Sequence, residues 1–387
     1  VILRNNAADI YRAIKCIGDV EVGLHTTCML YDNVKKKRGR DQYLANVSLK
    51  INLKLGGVNH VLDRRTGSSP DFIEDGTTMI VGWDVTHPTA IDSGENAPSI
   101  AAMVASIDNN LAQWPAILAV QTEGRTEMVD DLENMLISRL KVWQKHNGNK
   151  LPSNILVYRD GVSEGEYSRV KADELPKLEA ACRRMYAAAQ QPPKSQPSGG
   201  SGPKPMTTPL QMKLPQNKGK KKEEVLTRPR ITIVIGTKRH HTRFYPAPGS
   251  EDDKKGNPNA GLVVDRGVTE AHNWDFFAQP HAPIKGTAIP VRYFVVHDEI
   301  FGHYYPTLAD RADKLEEVTN ALSYVFGRAT RSVSLCTPAK LADIVCERGR
   351  CYLFKSFGAG TEPGDTQAER AKRVTIHEKL RDSMFYI

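Results

Sequence analysis

Two acids stand where short apolar runs end. Ile155-Leu-Val-Tyr-Arg-Asp160 is followed at once by Gly161, and Met79-Ile-Val-Gly-Trp-Asp84 by Val85-Thr-His-Pro88. A Val- and Ile-rich run that stops at a turn signal reads as a buried strand entering a tight turn, so each carboxylate is expected at a strand end. Carboxylates gathered at such ends repel one another unless a cation intervenes. Their oxygens suit a hard divalent ion. Strand-end acids are common, however, and the pair gains meaning only from a topology that makes them converge.

The flanking elements supply one. Runs at 79–84, 99–107 and 116–121 are joined by short polar connections and read as antiparallel hairpin strands. A helix is expected over Thr126–Lys145, with Met128, Leu132, Met135, Leu136, Leu140 and Trp143 as its apolar stripe; strand 154–159 and helix 164–188 follow. Three hairpin strands with an acid on the first, a helix, then a strand ending in a second acid is the order of an RNase H-like α/β fold, in which carboxylates converge to hold two Mg²⁺ ions. Further strands at 231–236, 261–265, 274–277 and 292–297, with helices over 308–326 and 338–350, imply a mixed sheet. Asp298 and Glu299 read as a strand-end surface pair.

The region before residue 77 has a different texture. Residues 1–3 resemble the tail of a strand, and Ala7–Ile17 has helical spacing that makes Tyr11 and Lys15 neighbours. Gly18–Gly23 turns into a short strand reaching about Leu30, and Lys35–Arg40 reads as a solvated basic loop. In 42–57, Val47, Leu49, Ile51, Leu53 and Leu55 alternate with polar residues as in a strand, while Tyr43, Leu44 and Ala45 fit a helix; both templates put Lys50 and Lys54 on one face. Residues 61–76 belong to a linker with Pro, Gly and Ser punctuation, and Gln190–Lys222 is a Pro-, Ser-, Gly- and Lys-rich insertion unable to order itself.

The 387 residues allow two or three globular units. Their 53 Lys and Arg against 45 Asp and Glu give a formal charge of +8, an excess that favours a polyanion such as nucleic acid and also suits an ordinary basic enzyme. Six scattered cysteines without a CxxC pair, or a His partner at zinc-finger spacing, indicate neither a zinc site nor a disulfide framework and fit a reducing, cytoplasmic setting. No apolar run reaches membrane-span length, and no signal peptide is evident. With no initial Met and an opening in mid-pattern, the chain reads as a fragment.

Five motifs, in order, bring a resemblance. Ser48-Leu-Lys-Ile-Asn-Leu-Lys-Leu-Gly-Gly57, Val81-Gly-Trp-Asp-Val-Thr-His-Pro88, Tyr158-Arg-Asp-Gly-Val-Ser-Glu-Gly165, Lys238-Arg-His-His-Thr-Arg243 and Thr330-Arg-Ser-Val-Ser334 together resemble a eukaryotic Argonaute, from the end of a Rossmann-like MID domain (1–60) through a PIWI domain (77–387). The insertion leans towards the quelling-type Argonautes of filamentous fungi. The resemblance implies catalytic acids at Asp84, Asp160, Asp343 and Glu127, the last as a helix glutamate with Glu123, Asp130 and Asp131 as neighbours. It implies two Mg²⁺ ions, or Mn²⁺, held by Asp84, Asp160 and Asp343. Tyr11, Lys15, Thr27 (where relatives often have Gln), Lys50, Lys54, Arg348 and the carboxylate of Ile387, paired with a lysine, would hold a guide RNA's 5′ phosphate. Lys238, Arg239, His241, Arg328 and Ser334 would contact the guide backbone, which sets register without reading sequence. The implied activity is guided cleavage of complementary target RNA by a monomer, with silencing partner proteins. The rivals are a non-cleaving guide-binding scaffold and an RNase H-like transposase or integrase, which needs neither the Lys50/Lys54 nor the Tyr11/Lys15 pair.

Overall fold

The computed structural model describes residues 1–63, 71–88, 98–122, 126–190, 228–249, 255–353 and 366–387. Two strands, β1 (Ile2–Leu3) and β2 (Met29–Leu30), pair in parallel. Eight more, β3 (Thr78–Thr86), β4 (Ile100–Ala105), β5 (Ala116–Val120), β6 (Asn154–Asp160), β7 (Arg230–Thr237), β8 (Leu262–Val264), β9 (Asp275–Gln279) and β10 (Val291–Asp298), form one mixed sheet ordered β5-β4-β3-β6-β7-β10-β9-β8. The expected RNase H-like order is present: β3, β4 and β5 run antiparallel in succession, and β6 lies parallel to β3.

Central strands β3 and β6 are buried up to their last residue, as expected of strands covered by helices on both faces. On one face Ile80, Leu156, Tyr158 and Val234 pack with Leu341 and Val345 of helix Thr337–Tyr352. On the other, Met79, Val81, Trp83 and Val157 pack with Leu136 and Leu140 of helix Leu132–His146 and Leu178 of helix Leu175–Gln190. Gly82 allows the first helix its close approach: a Cβ there would fall 2.2 Å from the Pro338 carbonyl oxygen.

Several local expectations change. The helix expected from Thr126 begins at Leu132, because the backbone before it is claimed by side chains described below. Residues 40–54 form a helix, Arg40–Lys54, and the period-2 alternation of Val47 to Leu55 is not a strand; Val47, Lys50 and Lys54 then share one face at helical spacing. Ile17–Val22 is a π-helical turn, leaving only two residues for the strand that follows. Among its described residues the linker carries a helical turn, Asp71–Glu74, whose Phe72 is buried and stacks on Tyr304 with ring centroids 4.9 Å apart. Residues 191–222 of the insertion lie outside the described residues. All six cysteines are free, and among the described residues no helix is long and apolar enough to cross a membrane.

Candidate functional site

Sheet register brings the two strand-end acids together. Trp83 pairs with Arg159 across parallel strands β3 and β6, so the next residue on each, Asp84 and Asp160, sits at the same end of adjacent strands. Gly161 turns the chain there with φ +88°, a left-handed conformation that favours glycine, and its N–H donates to Asp160 Oδ1 at 2.7 Å. A Cβ on Gly161 would stand 2.9 Å from Asp84 Oδ1 and 3.6 Å from Glu127 Oε2, so the glycine also leaves room for the third acid. Asp343 arrives on helix Thr337–Tyr352, where Cys346, one turn on, donates its Sγ–H to the Asp84 carbonyl at 3.4 Å.

The electrostatics bear the mark of crowding. Burial, then Asp160, and further Asp343, push the Asp84 carboxyl up to about 8 against the pull of Arg159. Burial, with Asp343 adding to it, also raises Asp160. Burial would raise Glu127 too, but the hydrogen bond from His87, at 3.0 Å, and the charges of Arg159 and Arg239 leave it below the usual range. Its Oε2 is buried without a hydrogen-bond partner. Glu127 lies in an irregular segment rather than on a helix. Of its neighbours, Asp130 accepts from the Thr122 N–H and Asp131 from the Asn134 amide, while Glu123 lies outside the described residues.

These are oxygen donors with an orphaned buried oxygen among them, which is the chemistry of a divalent-cation site. Among the described residues no three His, Cys, Asp or Glu side chains are grouped to hold one ion, and Lys340 Nζ pairs with Asp343 at 2.5 Å. Lys238 donates to Ser334, and burial, then Lys340, lower its pKa while Asp160 and Asp343 oppose them. Arg239 and His241 are exposed beyond β7. The surface pair resolves into structure: Asp298 accepts from Thr232 Oγ1 and from the Phe301 and Gly302 N–H groups, and Glu299 binds Arg228 at 2.6 Å.

A second site lies at the junction of the first 60 residues with the last helices. Tyr11, Lys15, Thr27, Lys50, Arg328, Arg348 and Ile387 line one cavity of about 260 Å³. Lys15 donates to the Thr26 carbonyl at 2.7 Å and hydroxyl at 2.8 Å, with its ammonium 5.5 Å from the Tyr11 ring centre. Lys54 is buried beside them and donates to the Phe385 carbonyl rather than to the Ile387 carboxylate. Burial, then Arg348, lower Lys15 to about 8; burial, Arg348 and Lys15 lower Lys54 to about 6. Lys50 is lowered by burial and by Arg328 and Arg348. The pocket is short of negative charge.

Some of what organises both sites has no local mark in the sequence. Asp19, wholly buried on the π-helical turn, accepts from Arg348 at 2.6 Å and from the Tyr352 hydroxyl at 2.8 Å. Arg348 also donates to the Tyr386 carbonyl at 2.9 Å. Burial opposes the Arg348 charge, yet Tyr352 and Asp19 hold its pKa above the usual value. Arg328, expected along the guide backbone, belongs to this pocket. Lys340 could have been suspected from its position three residues before Asp343 on a helix.

The Piwi domain family matches residues 1–194 and 212–353. Over 385 residues the chain is 33% identical to protein argonaute 18 of Oryza sativa subsp. japonica, covering 98% of this chain and 30% of that protein. The C-terminal lobe of a budding yeast Argonaute is similar with a TM-score of 0.80 at 28% identity, covering all of this chain and 68% of that one. Kluyveromyces polysporus Argonaute with a guide RNA gives 0.78 at 29% identity, over 100% and 41%. The chain spans about a third of the length of the curated relatives it matches.

Proposed function

Because the chain belongs to the eukaryotic Argonaute family, we propose that it anchors a small guide RNA by its 5′ phosphate in the cationic pocket and cleaves a complementary target RNA at the acid cluster. One observation supports joining the two tasks. A second cavity of about 510 Å³ shares Lys50, Arg328, Ile344 and Glu347 with the pocket and extends to Lys340, which touches Asp343. Lys50, Arg328 and Lys340 thus mark a path from the pocket towards Asp343, cations of the kind that a bound RNA backbone requires.

In this reading Arg348, fixed by Asp19, and Lys15, Lys50 and Lys54 give the terminal phosphate charge-assisted hydrogen bonds, and the Tyr11 ring offers a stacking face to the first base. Lys238, Arg239, His241 and Ser334 hold the backbone beyond it, and pairing between guide and target reads the sequence. Asp84, Asp160 and Asp343 would hold two Mg²⁺ ions, or Mn²⁺, whose chemistry when bound is to activate water and stabilise the leaving 3′ oxygen. Glu127, supported by His87, completes the cluster. The products are a 3′-hydroxyl and a 5′-phosphate.

The second reading is a guide-binding scaffold that silences through recruited partner proteins without cutting. The ion pair between Lys340 and Asp343 favours it. Asp160→Ala in the guide-loaded protein separates the two: the cleavage reading expects loss of a matched target's Mg²⁺-dependent cutting by at least about 1,000-fold, with guide affinity unchanged. Cleavage that survives the substitution sinks the site. A guide lacking its 5′ phosphate should bind about 10- to 100-fold more weakly, and indifference to the phosphate sinks the anchor.

A further inference from the structure

Glu127 lies on no helix or strand, so regular secondary structure does not hold it at the cluster. Side chains hold its segment instead. The Val129 N–H donates to Glu174 Oε1 at 3.1 Å, and the Val129 carbonyl accepts from Lys177 Nζ at 2.7 Å. Both polar groups of one peptide residue, two positions from Glu127, are thus taken by residues three apart at the start of helix Leu175–Gln190. The other carboxylate oxygen of Glu174 accepts from the Trp83 indole at 3.3 Å and stands 3.5 Å from Arg159 Nε. Arg159 in turn donates to the carbonyls of Glu127 and Asp160.

Trp83 and Arg159 are the residues immediately before Asp84 and Asp160. One carboxylate therefore ties together the two strands that carry the acids and the segment that carries the third. Glu174 and Arg159 are both wholly buried, and Glu174 ends a π-helical turn, Val170–Glu174, of the kind that recurs at functional sites. A partner for a buried arginine explains one of these contacts. It does not account for the grip on Val129, to which Lys177 contributes independently.

We propose that Glu174 and Lys177 are positioning residues, which hold the Glu127 segment in register with Asp84 and Asp160. The assignment of a catalytic consequence rests on the cleavage reading above. Lys177 gives the cleaner test, because it is only half-buried and Lys177→Met keeps its packing while removing the donor. In the guide-loaded protein, Lys177→Met should lower single-turnover cleavage about tenfold and raise the half-saturating Mg²⁺ concentration severalfold, leaving affinity for a 5′-phosphorylated guide unchanged. Added to Glu127→Gln it should cost nothing more, since the residue it positions is already disabled. Amide hydrogen exchange over 126–131 should accelerate in the variant even without guide or metal, with exchange in the β-sheet unaltered. Unchanged exchange overturns the proposal, as does a tenfold cost that persists in the Glu127→Gln background. If the unsubstituted protein does not cut, the cleavage reading falls and exchange alone decides whether the segment is held as proposed.

Discussion

At the sheet end Asp84, Asp160 and Asp343 crowd negative charge, and burial with Asp160 pushes Asp84 up to about 8. In the neighbouring pocket Lys15, Lys50 and Lys54 crowd positive charge around Arg328 and Arg348, and burial with Arg348 brings Lys54 down to about 6. The two regions are mirror images in charge but not in construction. The acids on β3 and β6 are placed by sheet register, so most of that geometry comes with the fold. The cations come from residues 11 to 54 and 328 to 348, and a single buried carboxylate, Asp19, fixes the arginine at their centre. Unsatisfied charge built on a rigid sheet should tolerate loss of its counter-ion better than unsatisfied charge assembled between distant segments.

Removing the carboxylate charge at the junction puts that difference to its hardest test. Asp19→Asn leaves Arg348 buried without its ionic partner and should cost about 3 kcal/mol, seen as a lowered unfolding temperature that inorganic phosphate partly restores. An unchanged unfolding temperature would mean that the Tyr386 and Phe385 carbonyls, both of which accept from Arg348, suffice. Gly161→Ala strikes the other region. It combines a strained backbone with a Cβ against Asp84, and displacement of the acids by such a contact should reduce target cleavage about 100-fold. Preference for a 5′-phosphorylated guide should stay intact, and a parallel loss of that preference would show that the two regions are not separable.

The smallest expected effect is in pH dependence. The unfolded chain keeps the Lys54 proton up to the usual 10.5, the folded protein only below about 6. Between those values the unfolded state holds more protons, so stability rises with pH across the window, and the folded state carries the full cost of the charge below about 6. Lys54→Met should flatten the slope of unfolding free energy by about half of the ~1.4 kcal/mol per pH unit that one whole proton gives near pH 6, and by most of it near pH 8. Saturating inorganic phosphate should flatten it in the unsubstituted protein as well. A slope unaffected by either would remove Lys54 from the account.

The same contrast governs what could be read from residues alone. Asp84 and Asp160 were legible because a buried strand stopping at an acid is a local pattern, and parallel register does the rest. Glu127 was legible only through family resemblance, and its expected helix was wrong because side-chain partners for Met128 and Val129 replace the helical ladder; the Met128 carbonyl accepts from Gln121 at 2.7 Å. Alternation in 47–55 favoured a strand although the segment is a helix, because its side-chain faces are chosen by contacts far along the chain, such as Leu53 against Gly327 and Lys54 with the Phe385 carbonyl. Asp19 carried no signal at all. A buried acid beside a glycine looks like a turn until its partner, 329 residues on, is in place.

Helix Thr337–Tyr352 carries both Asp343 and Arg348. Five residues apart, they are separated by about 7.5 Å of axial rise and point to different sides of one rod. Because Gly82 lets that rod lie directly on β3 at Pro338, it has little freedom to slide. If the proposed function holds, the helix is in effect a yardstick: it would fix how far the anchored end of a strand stands from the acids, so that the length measured along a bound RNA would be set by protein backbone rather than by the RNA itself.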